Sequence, residues 1–260
     1  MGGAKLDISH PVTYNEKLQY LKLYDRNPVY TMMVDKYQVK KYVAYIIGEK
    51  YIIPTLGCWK SFDEISFNNL PNQFVLKCTH DSGGLYICKD KSHMNYSEAK
   101  SKINSSLKRN YYFQGREWPY KNVPHLIIAE KYMEDKNDLE LRDYKFLCFS
   151  GEPKLMFIAS NRQRSKEPYF DFFDMDFNFL NLRHGHPNSP EIPHKPVNFE
   201  LMKELASMLS KGVPHVRVDF YEVNGSVYFG ELTLFHHGGF VPFDPPTWDY
   251  KLGELIKLPK

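Results

Sequence analysis

The sequence predicts an α+β fold with mainly antiparallel sheets. Three observations lead there. Helical and extended stretches are mixed without the regular strand–helix alternation of a parallel sheet. Two pairs of extended segments are separated by short turn sequences, Gly151-Glu152-Pro153 and Asn224-Gly225-Ser226, as in hairpins. Aromatic residues make up 15% of the 260 residues, a content suited to half-buried strands and contrary to disorder. That length can form one large domain or two interlocked smaller ones.

Residues 14–26 place Leu18, Leu21 and Leu23 among charges and predict a short amphipathic helix. A second helix is expected over 35–47, where Val39, Tyr42, Val43, Ile46 and Ile47 recur at helical spacing and Gly48 ends the run. Residues 74–78 read as a strand and 85–89 as its return. A helix should follow over 96–110, with Asn95 as N-cap and Glu98 three residues on. Residues 125–133 form an apolar strand, and 143–150 with 154–160 a hairpin. Residues 161–197, rich in Pro, His, Asn and Arg, read as a long functional loop with short strands inside it. Asn198 should cap a helix running to Lys211, with Gly212 at its C′ position. A hairpin of 215–223 and 227–235 closes the pattern, followed by His236-His237-Gly238-Gly239.

Composition narrows the function. The 34 basic and 31 acidic residues give a net charge of +3, so no electrostatic footprint for nucleic acid is visible. Cys58, Cys78, Cys88 and Cys148 form no C-x-x-C pair and read as reduced thiols of a cytoplasmic protein. No apolar run reaches the length of a bilayer span. Leu6 stands where an N-myristoylation pattern needs Ser or Thr.

The last hairpin carries the candidate chemistry. Along 215–223, Val216, Val218 and Phe220 share one face; Arg217, Asp219 and Tyr221 share the other. A two-residue turn at Asn224-Gly225 would send Glu231 into the apolar layer, which is costly for a carboxylate. A three-residue turn, Asn224-Gly225-Ser226, sets Asp219 opposite Glu231 and Arg217 opposite Thr233, and is the expected register. Opposed carboxylates repel. A divalent cation such as Mg²⁺ between them removes the repulsion; so does protonation of one, or neutralisation of both by Arg217. Further up the chain, Lys77 ends a strand before Thr79-His80-Asp81-Ser82-Gly83-Gly84. Small residues and a lysine in that order suit phosphate, although an ordinary hairpin turn would read the same.

Taken in order, Asp35-Lys36, Val75-Leu76-Lys77 with its Ser-Gly-Gly loop, Ile127-Ile128-Ala129-Glu130-Lys131-Tyr132-Met133, Asp143-Tyr144-Lys145, and Arg217-Val218-Asp219-Phe220 with Gly230-Glu231-Leu232-Thr233 resemble the ATP-grasp superfamily. More narrowly, the chain resembles the TupA-like ATP-grasp family of bacterial surface-polysaccharide gene clusters, over nearly its whole length. The resemblance implies two α+β subdomains clasping ATP between them: a helical segment over 1–50, a small subdomain with the phosphate loop over 51–135, and a large subdomain with the metal-binding hairpin over 136–260. It implies that Lys36 and Lys77 contact the ATP phosphates and that Ser82, Gly83 and Gly84 cover them. Glu130 would accept from the adenine amino group, the backbone of Lys131 and Met133 would read the ring edge, and Asp143 would hold the ribose. Asp219 and Glu231 would bind Mg²⁺, and Arg217 would stabilise the transferring phosphate. Thr233 stands where many members have an Asn as third metal ligand.

The activity so implied is ATP-dependent carboxylate–amine ligation through an acyl phosphate, acting on small-molecule substrates. A sugar nucleotide or polysaccharide precursor is the expected class, with fusion to or association with other polysaccharide-biosynthesis enzymes. Arg162 and Arg164 open the long loop and are candidates to clamp a carboxylate or the γ-phosphate, Arg162 as a catalytic residue. His236 and His237 could line the acceptor site. His80 could touch phosphate or merely fix its loop. His184 and His186 flank Gly185, a spacing that can bind metal, but no third ligand clusters with them in sequence. Two rival classes stand beside the ligase: a metal-dependent glycosyltransferase using Asp174-Met175-Asp176, and a nucleotide-binding module without turnover.

Overall fold

The computed structural model describes residues 6–136, 140–161 and 167–259. It divides the chain into two compact units, Pro28–Glu134 and the discontinuous Met1–Asn27 with Asp135–Lys260. The first 50 residues are therefore shared between the units.

Helix α1 (Tyr14–Tyr24) belongs to the discontinuous unit. Its start is a capping box: Thr13 Oγ1 accepts from the Glu16 amide at 3.2 Å, and the Glu16 carboxylate accepts from the Thr13 amide at 3.0 Å. Leu18 and Leu21 are buried, while Leu23, on the other side, is exposed.

Pro28–Glu134 begins with α2 (Val29–Val34) and α3 (Gln38–Ile47). Asp35 Oδ1 accepts from the amides of Tyr37 and Gln38 (2.8 and 3.2 Å), which opens α3. Val39, Val43 and Ile47 face inward at i, i+4, i+8, and Gly48 at φ +105° ends the helix as expected. Strands β1 (Thr55–Trp59), β2 (Phe74–Cys78), β3 (Leu85–Cys88) and β4 (Ile127–Lys131) form an antiparallel sheet ordered β1-β4-β2-β3. Helix α4 (Tyr96–Leu107) lies on β2 and β3, its N-terminus capped by Asn95; a short turn, α5 (Tyr112–Gly115), follows. Phe74, Leu76 and Cys78 join Ala99, Ile103, Ile127 and Ala129 in the core. Period 2 then places Val75 and Lys77 on the other face of β2, with Ile128 and Glu130 beside them.

The discontinuous unit is built on β5 (Asp143–Phe149), β6 (Glu152–Ser160), β7 (Tyr169–Asp174), β8 (Phe179–Leu180), β9 (Arg183–His184), α6 (Phe199–Ser210), β10 (His215–Val223), β11 (Ser226–Thr233), β12 (Phe243–Asp244) and α7 (Thr247–Leu255). Its main sheet is antiparallel in the order β11-β10-β5-β6-β7-β8, and β12 pairs with β9. Helix α6 covers one face. Phe199 packs on Phe146 with ring centres 6.0 Å apart, and the Cys148 thiol reaches the Ala206 carbonyl. Alternation puts Val218 and Phe220 on that face and Asp143, Lys145, Arg217 and Asp219 on the opposite one.

Three local expectations are corrected and one, for 161–197, is made definite. The β5–β6 turn is Ser150-Gly151, both at positive φ (+52° and +92°), and Glu152 and Pro153 lie within β6 beside a bulge at Leu147/Cys148. The stretch 161–197 contributes β7, a strand of the main sheet with Phe170, Phe172 and Phe173 buried. Asn198 does not cap α6; its side-chain amide donates to Glu222 Oε1 at 2.6 Å and to the Gly225 carbonyl at 3.1 Å. The last hairpin turns on two residues, Asn224 (φ +50°) and Gly225 (φ +77°), with Val223 paired to Ser226. Two positive φ angles mark a type I′ turn, whose twist matches that of the strands. A bulge then opposes Gly230 and Glu231 together to Asp219, so that Arg217 still pairs with Thr233.

Candidate active site

Two clusters of charge stand out, one in each unit. In Pro28–Glu134, Glu130 is buried on β4 and accepts from two ammonium groups. Lys77 Nζ lies 2.6 Å from Oε2, and Lys40 Nζ lies 2.5 Å from Oε1. Burial alone would push this carboxyl up. The two lysines outweigh it and hold Glu130 at about 2. Lys40 also donates to the Ile53 carbonyl and to Thr55 Oγ1, both at 2.8 Å. Sequence reasoning missed Lys40; its place four residues after Lys36, one helical turn along, was the available signal. Glu130, read as an adenine acceptor, is thus the anchor that orients Lys77. The Lys131 amide donates to the Pro54 carbonyl at 3.0 Å, so that N–H is taken up inside the unit, and Met133 lies half-buried two residues past β4.

The loop after β2 is held from behind. Asp81 is buried and accepts from Ser106 Oγ, from Arg109 NH2 at 2.6 Å and from the Gly83 amide at 3.1 Å. Lys36 Nζ donates to the Asp81 carbonyl at 2.6 Å. The His80 ring stacks on His125 at 3.7 Å, and its Nε2 lies 3.2 and 3.0 Å from the carbonyls of Ser106 and Arg109. Burial, then His125, lowers the His80 pKa. A neutral ring whose Nε2–H meets two carbonyls fixes the loop to the end of α4. Gly84 is a packing glycine: a Cβ there would stand 2.2 Å from Ser106 Oγ and 2.7 Å from Cys78 Sγ. Ser82 and Gly83 are exposed on the loop.

On the sheet face away from α6, five charged side chains meet. Arg217 donates from Nε and NH2 to the two oxygens of Asp219, at 2.7 Å each, and from NH2 to Glu231 Oε1 at 2.7 Å. Lys145 bonds to Asp219 Oδ2 and lies 3.2 Å from Asp143 Oδ1. Asp219, Asp143, Lys145 and Arg217 are 1%, 3%, 5% and 8% exposed, whereas the Glu231 side chain is 43% exposed. Burial works against the guanidinium charge; Asp219 and then Glu231 more than restore it, and the Arg217 pKa rises. Arg217 therefore holds both carboxylates, one of the outcomes open at the sequence level. Asp143, read as a ribose ligand, is placed inside this cluster. Thr233 Oγ1 lies 3.4 Å from Glu231 Oε1 and steadies that carboxylate.

The donor set suits a hard divalent cation. Asp219 and Glu231 offer carboxylate oxygens from adjacent strands, and three acids meet two bases, a surplus of one negative charge. Asp219 and Glu231 would hold the cation once the guanidinium turns from them to phosphate. Arg162 and Arg164 lie outside the described residues. Asp174, of the Asp-x-Asp pattern, instead closes a turn, accepting from the Asp176 and Asn178 amides at 3.0 and 2.8 Å.

Four histidines gather past β11. His236 Nδ1 lies 2.7 Å from Arg217 NH1. The rings of His184, His236 and His237 have centres 4.1–5.0 Å apart, and His186 stands 6.1 Å from His237. Burial, then His237, takes His184 down to about 3; burial, then Arg217, takes His237 to about 4. The segment itself is held by α1: Gln19 Nε2 donates to the carbonyls of Gly238 and Gly239 (2.7 and 2.9 Å), and Lys22 Nζ to Gly238 at 2.6 Å.

The family model "TupA-like ATPgrasp" matches residues 16–257, and no curated protein matches the chain in sequence. Among solved structures, the chain is similar to D-alanine–D-alanine ligase from Bacillus anthracis complexed with ATP (15% identity, 78% of this chain, 54% of that one, TM-score 0.47). It is also similar to D-alanine–D-alanine ligase from Helicobacter pylori (15%, 95% and 69%, 0.49). A third is N5-carboxyaminoimidazole synthase from Aspergillus clavatus, in complex with ADP and its ribonucleotide (13%, 80% and 46%, 0.44). The chain spans about half the length of the first and third. On the family match, which takes in nearly all of its residues, the chain belongs to the TupA-like ATP-grasp family.

Proposed function

We propose that this ATP-grasp chain is an ATP-dependent carboxylate–amine ligase. The observation that carries the reading is the Arg217–Asp219–Glu231 constellation, with Lys145 and Asp143, on one sheet face. In the other unit, Lys77, oriented by Glu130, and Lys36 are the phosphate contacts that the family resemblance implies, with Ser82 on the loop after β2; the Gly83 amide is taken up by Asp81. Gly84 serves the loop by letting α4 approach.

The reaction has two steps. A substrate carboxylate oxygen attacks the γ-phosphorus; the bond to the bridging β–γ oxygen breaks, and ADP leaves. An amine nitrogen then attacks the acyl carbon, the C–O bond to phosphate breaks, and the amine loses its proton. The chain's part is positioning and charge neutralisation. Arg217 turns from Asp219 and Glu231 toward the transferring phosphoryl group, a planar donor matched to its oxygens. Burial pushes the Asp219 carboxyl up, and Lys145, which stays on Asp219 when Arg217 turns away, works against that rise. Asp219 and Glu231, the latter steadied by Thr233, would hold Mg²⁺, which would supply charge neutralisation on the phosphates. Asp143 restrains Lys145.

The substrates we propose are a sugar carboxylate or amine, such as a uronic acid or amino sugar of a capsule or other surface polysaccharide, in the cytoplasm. What supports this is the family's occurrence in such gene clusters. The test is ADP release from purified protein and Mg-ATP across a panel of uronic acids and amines, with hydroxylamine to trap the acyl phosphate. ADP release that needs a carboxylate, with hydroxamate formed, is the expected result. ATP binding without ADP release on any member would return the chain to a non-catalytic module. Thermal stabilisation by a UDP-sugar and not by ATP would favour the glycosyltransferase.

A further inference from the structure

We infer that His184, His236 and His237 form a binding site for a borderline transition-metal cation such as Zn²⁺, distinct from the carboxylate cluster. The three come from two distant stretches: His184 lies on β9, and His236 and His237 directly follow β11. One ligating atom from each lies within 4.8 Å of the others. His184 and His236 are 0% and 1% exposed. Each of the three rings keeps one buried nitrogen with no hydrogen-bond partner: His184 Nδ1, His236 Nε2 and His237 Nε2. Leaving one such group unmade costs about 1–3 kcal/mol. Three in one place point to a shared occupant.

Tautomers decide what kind. His184 Nε2 lies 3.0 Å from the Val241 carbonyl, so it carries the proton and Nδ1 presents a lone pair. His237 Nε2 is buried without a hydrogen-bond partner and presents a lone pair when Nδ1 carries the proton. Two lone pairs in a buried cluster suit an imidazole-loving cation, with the Val241 carbonyl orienting the His184 ring from behind. His236 differs. Its Nδ1 faces Arg217, which can only donate, so its proton sits on Nε2. To ligate, His236 moves that proton to Nδ1 and releases Arg217. Metal binding by the third imidazole and the Arg217–His236 bond are therefore mutually exclusive, and the protons balance without exchange with solvent.

Tetrahedral nitrogens around Zn²⁺ sit roughly 3.3 Å apart, so the rings close by up to about 1.5 Å. Gly185, which lines a surface cavity of about 270 Å³, stands against the cluster: a Cβ on it would lie only 3.2 Å from His237 Nε2. The spacing His184-x-His186 suggested a metal but lacked a third ligand in sequence; the fold supplies two.

The test is titration of the whole chain with Co²⁺ in excess Mg²⁺, which fills the oxygen site first. One equivalent giving the intense visible bands of tetrahedral cobalt is expected, with at least about tenfold weaker binding in His237→Gln. X-ray absorption of the Zn²⁺-loaded wild type then counts imidazoles without any variant and should find two or three. Pale six-coordinate cobalt, unchanged binding in the variant, or oxygen-only coordination of zinc would each overturn the site and leave a buried water to serve the three nitrogens.

Discussion

Replacing Arg217 by Met tests the centre of the proposed site. The guanidinium makes four contacts of 2.7 Å: two to Asp219, one to Glu231 and one to His236. Removing one partner of a buried ion pair costs about 3–5 kcal/mol. Lys145 still serves Asp219, and Glu231, 43% exposed, recovers water, so the lower end, about 3 kcal/mol, applies. In a unit of about 150 residues, each kcal/mol moves Tm by about 2–4 °C, which gives a fall of about 6–12 °C. Mg²⁺ should return part of it, since a cation takes over the neutralisation of the carboxylates; saturation at 100 Kd contributes about 2.7 kcal/mol. The assay is thermal unfolding of wild type and variant with and without Mg²⁺. A deficit below about a degree would show that the carboxylates do not depend on Arg217. So would an equal response of both proteins to Mg²⁺, which would also remove these oxygens as its ligands. ADP formation in the variant should fall by about 10²–10³.

Other changes probe the second cluster and its loop. Lys77→Met removes a charged partner of phosphate worth about 1.5–3 kcal/mol, so ATP affinity by calorimetry should fall about 10- to 150-fold, with the fold intact by circular dichroism. Glu130 has a depressed folded pKa of about 2 against 4.5 unperturbed. Its stabilisation is therefore full above about pH 4.5 and lost as pH falls through about 2, and Glu130→Gln should flatten acid unfolding in that window. Gly84→Ala puts a methyl 2.2 Å from Ser106 Oγ. It should cost about 1–3 kcal/mol by urea unfolding, whereas Gly225→Ala, with open space but φ +77°, strains only its turn.

Much of this was legible beforehand, for identifiable reasons. Helix α3 and strand β2 follow from apolar period and a terminal glycine or loop, both local. The register of the last hairpin came out right at Arg217–Thr233 although the turn was wrong. An extra residue in the turn and a bulge at Gly230-Glu231 displace the partner strand by the same one residue, and only the faces of Asp219 and Glu231 constrain their sum. Lys40 stayed hidden because its partner Glu130 lies 90 residues away. The histidine cluster stayed hidden because β9 and the end of β11 are joined only by the fold. β7 was read only as a short strand within a long loop, since its flanks are rich in Pro, His and Asn, while Phe170, Phe172 and Phe173 alone carried the strand signal.

The clamp of α1 on the Gly238-Gly239 segment sets an order of assembly. Gln19 and the Gly238 carbonyl are 219 residues apart in the chain, and Lys17 reaches the carbonyls of Gly253 and Ile256. During synthesis Pro28–Glu134 is complete before any strand of the six-stranded sheet exists, so it can fold while α1 waits with Leu18 and Leu21 uncovered. Closing the discontinuous unit is a late, high-contact-order event. The emerging chain is most prone to aggregate in that interval.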